Sequence, residues 1–277
     1  MFTIVLVCAS GAQATAIILP FNSPLNLAVL GVASATITNS NVTITGNEGI
    51  FSSGTISNMA PSTVTGNVYE ASSGEESGPG HVGGSVIVDF SDLQTAVNDA
   101  TSAATTAAGY TATQTFGTIS SATTITGNGG LNVIDINGNI TNSITLKGGA
   151  SDIFVVNVTG SLTLTGATGL LLSGINADQV LYNFDGSSGN ISAQVGNTLD
   201  GTLLAPKYTI TNGDGNYTGE IIASGNISLL SGATVTADDF IGVSSPEPGT
   251  MVLIGSGLIA LALFARKRLP PSPPAKS

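Results

Sequence analysis

The sequence is poor in the residues on which most catalysis and metal binding depend. Its 277 residues include one cysteine, one histidine and no tryptophan, and only 8% of them are charged. The single histidine, His81, lies in a glycine-rich segment, so a catalytic triad or a zinc site built on several histidines is excluded. This composition argues against an enzyme and predicts a chain without cofactors.

Basic residues are scarce as well, and most of them are near the C-terminus. Four of the six follow residue 265, which leaves Lys147 and Lys207 for the body of the chain. With sixteen acidic residues up to Ser245, that body carries a formal charge of −14. Such a surface repels the phosphate backbone of nucleic acids, so we expect no nucleic-acid partner.

The first sixteen residues, MFTIVLVCASGAQATA, have the pattern of a secretory signal peptide. An apolar run from Phe2 to Val7 is followed by small residues, and residues 14–16 form an A-x-A cleavage site before Ile17. No basic residue precedes the apolar run, which indicates a start further upstream or a truncated segment. Cleavage would remove Cys8, so we expect an exported chain with no disulfide, thiol catalyst or thiolate metal site.

From about Leu25 to Phe240 the sequence predicts many short β-strands separated by turns. Gly-Asn occurs eight times, and both residues tolerate the left-handed backbone of tight turns. Between these pairs lie alternating segments such as SATITNSNVTITG and SLTLTG, which are typical of strands with one buried face. A strand spacing of about nine to ten residues fits either a β-sandwich or a β-solenoid.

Thr-x-Thr triplets favour the solenoid. Each triplet places two hydroxyl groups on one face of a strand and an aliphatic side chain on the other, so stacked coils would form threonine ladders. Such a ladder could bind a ligand or ice; the alternative is that threonine simply has a high β-propensity. The candidate face comprises Thr124, Thr126, Thr163, Thr165, Thr209, Thr211, Thr234 and Thr236.

One segment, DFSDLQTAVNDATSAATTAAGY, has a helical pattern instead. Ser91 and Gln94 have the spacing of a capping box, small apolar residues follow at helical spacing, and Gly109 ends the pattern. We therefore predict one amphipathic helix over residues 92–108 in an otherwise all-β chain.

The order of these elements resembles a known family. The segments LNLAVLGVASATITNSNVTITGNEGI, DLQTAVNDA, VLYNF and GTLLAP are similar to the bacterial ice-binding-like fold, in particular to its anchor-variable (choice-of-anchor A type) surface proteins. The resemblance covers residues 25–240 and implies a β-solenoid flanked by one long helix. It also implies either ice binding through a flat solenoid face or a structural or adhesion role at the cell surface.

Two further groups of acidic and amide residues are candidate sites. Asp238 and Asp239 are adjacent, and adjacent strand residues point to opposite faces, so these two carboxylates would not converge. Asp178 and Asp185 flank the VLYNF strand. We interpret all four as solvated turn carboxylates. Residues 212–216, NGDGN, resemble a calcium loop. Position 12 of that loop is alanine where an EF-hand has glutamate, so we predict a turn and no metal.

Six N-x-S/T sequons begin at Asn41, Asn139, Asn157, Asn190, Asn216 and Asn226. Glycosylation of an exported chain is one interpretation. We favour the other, that a turn asparagine followed by a strand produces the same pattern.

The C-terminal residues 241–277 resemble a PEP-CTERM sorting signal. Pro246-Glu247-Pro248 precedes an apolar segment, residues 250–265, and the basic cluster Arg266-Lys267-Arg268 follows it. Sixteen uncharged residues span about 24 Å as a helix, slightly less than a bilayer core, so we predict a transient transmembrane helix. The resemblance implies a Gram-negative source and processing by an exosortase-type membrane enzyme.

Together these features predict an exported, non-enzymatic β-solenoid with one flanking helix, held briefly in the inner membrane and then sorted to the cell surface or extracellular matrix. The expected role is structural or adhesive, with exopolysaccharide or matrix proteins as partners. The alternative is an ice-binding protein that uses its threonine ladders.

Overall fold

The structure is a computed structural model that describes residues 25–33, 35–166, 168–230 and 232–242. The signal peptide, the sorting motif and the predicted transmembrane helix over 250–265 lie outside these residues. All described residues belong to one unit, residues 17–243. Within the described ranges, no helix is both long and apolar enough to cross a membrane.

Short strands and one helix make up this unit. Before the helix the strands are β1 Leu27–Gly31, β2 Thr36–Ser40, β3 Thr43–Thr45, β4 Asn47–Ile50, β5 Thr55–Met59, β6 Thr63–Val64, β7 Val68–Glu70, β8 Glu76–Ser77, β9 His81–Val82 and β10 Val86–Val88. The helix, α1, spans Phe90–Ala108. After it come β11 Gln114–Phe116, β12 Thr123–Thr126, β13 Gly130–Ile136, β14 Ile144–Lys147, β15 Asp152–Val158, β16 Leu162–Leu164, β17 Gly169–Ser173, a 3₁₀ turn Ala177–Gln179, β18 Val180–Phe184, β19 Gly189–Ala193, β20 Thr198–Asp200, β21 Thr202–Ala205, β22 Tyr208–Gly213, β23 Asn216–Thr218, β24 Ile221–Ala223, β25 Ile227–Leu229 and β26 Thr234–Thr236.

The strands form three parallel sheets, which are the three walls of a solenoid. In spatial order, sheet A is β10-β7-β4-β1-β24-β21-β18-β15-β13-β11, sheet B is β16-β19-β22-β25-β2-β5-β8, and sheet C is β12-β14-β17-β20-β23-β26-β3-β6-β9. Each coil passes from sheet A to sheet B to sheet C, as β1, β2 and β3 do. The predicted all-β solenoid with one long helix is therefore confirmed.

The stacking order differs from the chain order at one point. β1 lies between β4 and β24, with Val29 opposite Ile221 and Leu30 opposite Ile222. The coils before the helix thus stack on one side of the C-terminal coil, and the coils after the helix stack on its other side.

Helix α1 packs on the outer face of sheet A. Its buried face consists of leucine and alanine: Leu93, Ala96, Ala100, Ala103, Ala104 and Ala107. Asn183 and Asn157 of the sheet donate side-chain hydrogen bonds to the carbonyls of Ala104 (3.1 Å) and Ala107 (3.0 Å). The small alanine side chains let the helix lie close to the sheet, and the two amides satisfy carbonyls in its last turns.

The start of the helix differs from the prediction. Its N-cap is Asp89, whose carboxylate accepts from the Asp92 backbone N–H at 3.0 Å, whereas Ser91 lies inside the first turn. Because β10 ends at Val88, the chain enters the helix directly from the sheet. The helix therefore begins two residues earlier than predicted.

The corner between sheets C and A requires glycine in several coils. Gly201, Gly219 and Gly46 have φ of +119°, +131° and +133° there. A Cβ on Gly219 would lie 2.5 Å from the Gly201 carbonyl oxygen. The Gly-Asn pairs also join coils, because Asn47 Oδ1 accepts from the Asn67 N–H at 2.7 Å.

The solenoid interior is mainly apolar, and one buried polar cluster lies in the block before the helix. Glu48 of β4 is fully buried, and its carboxylate accepts from Asn39 Nδ2 at 2.8 Å and from Asn58 Nδ2 at 3.5 Å. Burial, and secondarily the charge of Glu76, raises the pKa of Glu48 to about 7 despite these two hydrogen bonds. The Oδ1 atom of Asn39 is buried and has no hydrogen-bond partner among the residues that the structure describes.

Candidate functional site: the outer face of sheet B

The outer face of sheet B carries a hydroxyl group in every coil. In spatial order these residues are Ser120, Thr141, Thr163, Ser192, Thr211, Ser228, Thr38, Ser57 and Ser77, which we call the hydroxyl ladder. Strands in a sheet are about 4.8 Å apart, so nine rows extend over about 38 Å. A bulge at residues 211–213 shifts the register once along this length.

An aliphatic stack inside the solenoid fixes the ladder in place. The residue before each ladder position points inward, and eight of these nine residues are isoleucine or leucine with at most 5% of their surface exposed: Ile119, Ile140, Leu162, Ile191, Ile210, Ile227, Ile37 and Ile56. The ninth is Glu76, at the end of the sheet. Because side chains alternate along a strand, burying these residues forces each hydroxyl outward.

A second outward row runs beside the ladder: Thr118, Asn139, Ser161, Asn190, Thr209, Asn226, Thr36, Thr55 and Glu75. Its asparagine side chains connect neighbouring coils. Asn139 Oδ1 accepts from the Ser161 N–H at 2.9 Å, and Asn226 Oδ1 accepts from the Thr36 N–H at 3.0 Å. These contacts hold the spacing between coils and make the face rigid.

The face is uncharged along almost its whole length. Glu75 is the only ionisable residue in the two rows, and it is buried at the end of the sheet. Its carboxylate accepts from the Ala71 N–H at 2.8 Å and from the Ser72 hydroxyl at 2.9 Å, so both of its oxygens are hydrogen-bonded within its own loop. A body of formal charge −14 therefore presents one extended neutral surface made of hydroxyl, methyl and amide groups.

The eight threonines singled out in the sequence do not share one surface. Thr163, Thr209 and Thr211 lie on sheet B, and Thr165 directly follows β16 of the same sheet. The other four, Thr124, Thr126, Thr234 and Thr236, are exposed on sheet C. The structure therefore brings together half of the candidate residues and separates them from the other half.

Sheet C has a less regular outer face. Asn216, Thr234, Thr43 and Thr63 occupy successive rows, but His81 ends this column. In the neighbouring column Thr218 lies beside Asp200. Elsewhere on the sheet Leu171, Lys147 and Ser173 occupy outward rows. Charged and large apolar residues thus interrupt this array. The ladder of sheet B contains none, although Met59, which is 47% exposed, lies beside it at the end of β5.

Seven of the nine ladder residues were missed: the five serines and Thr141 lack the Thr-x-Thr pattern, whereas Thr38 has it but was not among the candidates. The signal common to the rows is a polar residue, then Ile or Leu, then Ser or Thr. Three of the sequons, at Asn139, Asn190 and Asn226, are instances of this tripeptide. Asn157, Asn190 and Asn216 lie within β15, β19 and β23, so the interpretation of these three asparagines as turn residues is wrong.

The acidic candidates lie in a different part of the solenoid. Asp178, in the 3₁₀ turn, and Asp238, after β26, approach each other at the corner between sheets C and A, while Asp185 follows β18 at the other end of that strand. All are half-buried rather than fully solvated, and burial raises the pKa of Asp185 and Asp238. The buried Glu220, which the sequence analysis did not single out, lies beside Asp238 and Asp239.

The calcium-like segment forms a turn. Residues 214 and 215 connect β22 to β23, and Asn216 is already part of β23. Across the part of the chain that the structure describes, no three His, Cys, Asp or Glu side chains are arranged to hold a metal ion.

Solved structures of ice-binding proteins are similar to this chain. An ice-binding protein from an Antarctic biological consortium is 21% identical to this chain, with 85% of this chain and 96% of that one covered and a TM-score of 0.58. An ice-binding protein from the ascomycete Antarctomyces psychrotrophicus is 17% identical (78% and 96% covered, TM-score 0.54), and the DUF3494 domain of Shewanella frigidimarina ice-binding protein 1 is 14% identical (81% and 100% covered, TM-score 0.54). At these identities the likeness shows the fold, an ice-binding-like β-solenoid.

The family follows from the sequence itself. The family model described as "Putative Ice-binding-like adhesive domain" matches residues 12–234, and the chain belongs to that family. The model of the PEP-CTERM protein-sorting motif matches residues 246–268. The chain is thus an exported protein of a Gram-negative bacterium, sorted through an exosortase-type system to the cell surface or extracellular space. A search of curated proteins found no relative.

Proposed function

We propose that this protein is a structural or adhesion-type component of the cell surface or extracellular matrix, and that the outer face of sheet B is its contact surface. The observation that carries the proposal is the hydroxyl ladder: nine consecutive coils present Ser or Thr at the same position. The adhesive description of the family and the acidic, cysteine-poor body support the same role.

The chemistry of the ladder favours a neutral, hydroxyl-rich partner. Hydroxyl and amide groups can each donate or accept a hydrogen bond, so the face can pair with a repeating polar polymer such as an exopolysaccharide. The negative body disfavours strongly anionic polymers. Matrix proteins that present a neutral polar surface are the other partner class.

Ice binding is the second candidate, and the regularity of the same face favours it. Hydroxyl groups that repeat from coil to coil, with methyl groups at the four threonine positions of the ladder, suit an ordered layer of water. The solved ice-binding proteins share this fold at 21% identity or less, which supports the architecture and leaves the ligand to experiment.

The test compares two double variants. Thr38→Tyr/Thr211→Tyr places two bulky rings on the ladder, and Thr43→Tyr/Thr234→Tyr places the same rings on sheet C as the matched control. Binding of the purified protein to neutral exopolysaccharide and to matrix protein is measured by sedimentation, and thermal hysteresis is measured in parallel. We expect the sheet B variant to lose at least about tenfold in binding, equivalent to about 1.4 kcal/mol, while the control binds like the wild type.

Each outcome decides between the candidates. Polymer binding without thermal hysteresis supports adhesion, and thermal hysteresis that the sheet B variant abolishes establishes ice binding instead. Equal binding by both double variants would show that sheet B is not the contact surface.

A further inference from the structure

The last described residues form a strap across the corner between sheets C and A. The strap, residues 237–242, follows β26 and is held at both ends: the Ala237 N–H donates to the Thr45 carbonyl at 3.0 Å, and the Ile241 N–H donates to the Asp178 carbonyl at 2.8 Å. Between them Phe240 is only 3% exposed. The strap is therefore part of the packed solenoid, although the sorting motif begins only four residues beyond it.

Several carboxyl groups meet beside this strap, and neither lysine of the described residues, Lys147 or Lys207, acts on Glu220 or Asp238. Glu220 is fully buried just before β24, and the Thr202 hydroxyl donates to its Oε2 atom. Its other oxygen, Oε1, is buried without a hydrogen-bond partner in the structure. Asp239 and Asp238 of the strap face Glu220. The neighbouring elements add Asp178 from the 3₁₀ turn and Asp200 from β20.

This cluster of carboxyl groups is favourable when Glu220 carries a proton. Burial raises the pKa of Glu220 well above its usual range, the Thr202 hydrogen bond partly opposes this, and the nearby Asp239 and Asp238 charges raise it further. A neutral Glu220 can donate a hydrogen bond to the Asp239 carboxylate and hold the strap. An ionised Glu220 instead repels both strap aspartates from a buried position, where charges are weakly screened.

We propose that the strap is a proton-controlled latch: it stays docked while Glu220 is neutral and is released when Glu220 ionises, which frees the sorting motif for its processing enzyme. The proposal rests on the matched sorting motif and is independent of what sheet B binds. Extended chain covers at most about 3.5 Å per residue. From Gly242 the motif at Pro246 can therefore lie at most about 14 Å away, and from Thr236, with the strap released, about 35 Å away.

Hydrogen exchange of the full-length protein tests the latch. Protection factors of peptides covering residues 237–242, corrected for intrinsic exchange, are measured between pH 5 and pH 9 for the wild type, Glu220→Gln and Glu48→Gln. Glutamine at 220 can donate to Asp239 at every pH, whereas Glu48 is a buried glutamate far along the sequence and serves as the matched control.

We expect strap protection in the wild type to fall as the pH rises, by up to about tenfold per pH unit between the pKa of Glu220 in the released state and its higher pKa in the docked state, and to level off above the docked-state pKa. Glu220→Gln should keep the strap protected over the whole range. Glu48→Gln changes the global stability, which local opening of the strap does not involve, so it should keep the wild-type fall of strap protection with pH. If Glu220→Gln does not fold, Asp239→Asn removes the facing charge and should weaken the pH dependence instead. Wild-type protection that is independent of pH, or an unchanged pH dependence in the folded variant, would overturn the latch.

Discussion

Replacing Glu48 by glutamine should stabilise the protein at neutral and alkaline pH. Glu48 is fully buried, and the raised pKa of about 7, compared with an ordinary 4.5, means that the folded state holds this proton more tightly than the unfolded state does. The resulting stability is fully present below pH 4.5 and is lost as the pH rises through 7. A difference of 2.5 pKa units corresponds to about 3 kcal/mol.

Glutamine fits the same position without titrating. Its oxygen can accept from Asn39 Nδ2 as the carboxylate does at 2.8 Å, and its amide can donate to the Asn39 Oδ1 atom that has no partner. At pH 4.5 the variant and the wild type should therefore unfold with similar free energies. At pH 8 the variant should be more stable by about 3 kcal/mol, because it avoids a buried charge.

Urea unfolding at pH 4.5, 6, 7 and 8 measures this difference. The other acidic groups titrate in both proteins, so the relevant quantity is the gap between variant and wild type at each pH. We expect the gap to widen from pH 4.5 onward, by up to about 1.4 kcal/mol per pH unit while the pH lies between 4.5 and 7, and to level off above pH 7. A gap that stays constant over this range would show that Glu48 does not carry the buried proton, and the reasoning would fail.

Three further substitutions test how the solenoid is held together, each by urea unfolding. Ile227→Ala removes one member of the aliphatic stack beneath the hydroxyl ladder and should cost about 2–5 kcal/mol; a cost below about 1 kcal/mol would contradict the packing. Asn183→Ala removes the amide that donates to a helix carbonyl at 3.1 Å and should cost about 1–3 kcal/mol, accompanied by faster exchange of the last helical turn. Gly219→Ala should destabilise the corner between sheets C and A, because φ is +131° and the added Cβ meets the Gly201 carbonyl, whereas Gly117→Ala, with nothing within 4 Å, should be close to neutral; equal effects would refute the steric argument.

The local signals of the sequence were sufficient for an all-β chain with one helix, and the resemblance to the ice-binding-like fold favoured the solenoid over the sandwich. Alternating residues, Gly-Asn turns and a single helical segment each predicted an element that the structure contains. The helix start was less certain from sequence, since Asp89, Ser91 and Asp92 are all good N-cap residues. Asp89 is the cap because the end of β10 brings it to that position.

The composition of the face could not be read from the sequence, because coil length varies. Thr36 and Thr55 occupy adjacent rows 19 residues apart, whereas Ser161 and Asn190 occupy adjacent rows 29 residues apart. With this variation a Thr-x-Thr triplet does not reveal whether it belongs to sheet B or to sheet C. Only strand pairing assigns Thr163 and Thr211 to one sheet and Thr124 and Thr234 to another.

The burial of acidic residues was the other feature that could not be predicted from the sequence. Glu220 precedes the apolar pair Ile221-Ile222, and nothing in that pattern distinguishes a solvated from a buried carboxyl group. Its surroundings come from distant parts of the chain, namely Thr202 of β21 and the strap residues Asp238 and Asp239. Long-range packing, rather than local pattern, decides its ionisation.

The pairing of β1 with β24 also determines when folding of the solenoid can be completed. Export delivers the N-terminus first, so Val29 must wait for Ile221, almost 200 residues later, before that edge of its strand is paired. Until then the early coils and the later coils each have an open strand edge, which is a site for mispairing with another chain. A chain interrupted before residue 221 would contain most of the strands and still lack the join between Thr38 and Ser228, so the ladder would exist only as two separate halves.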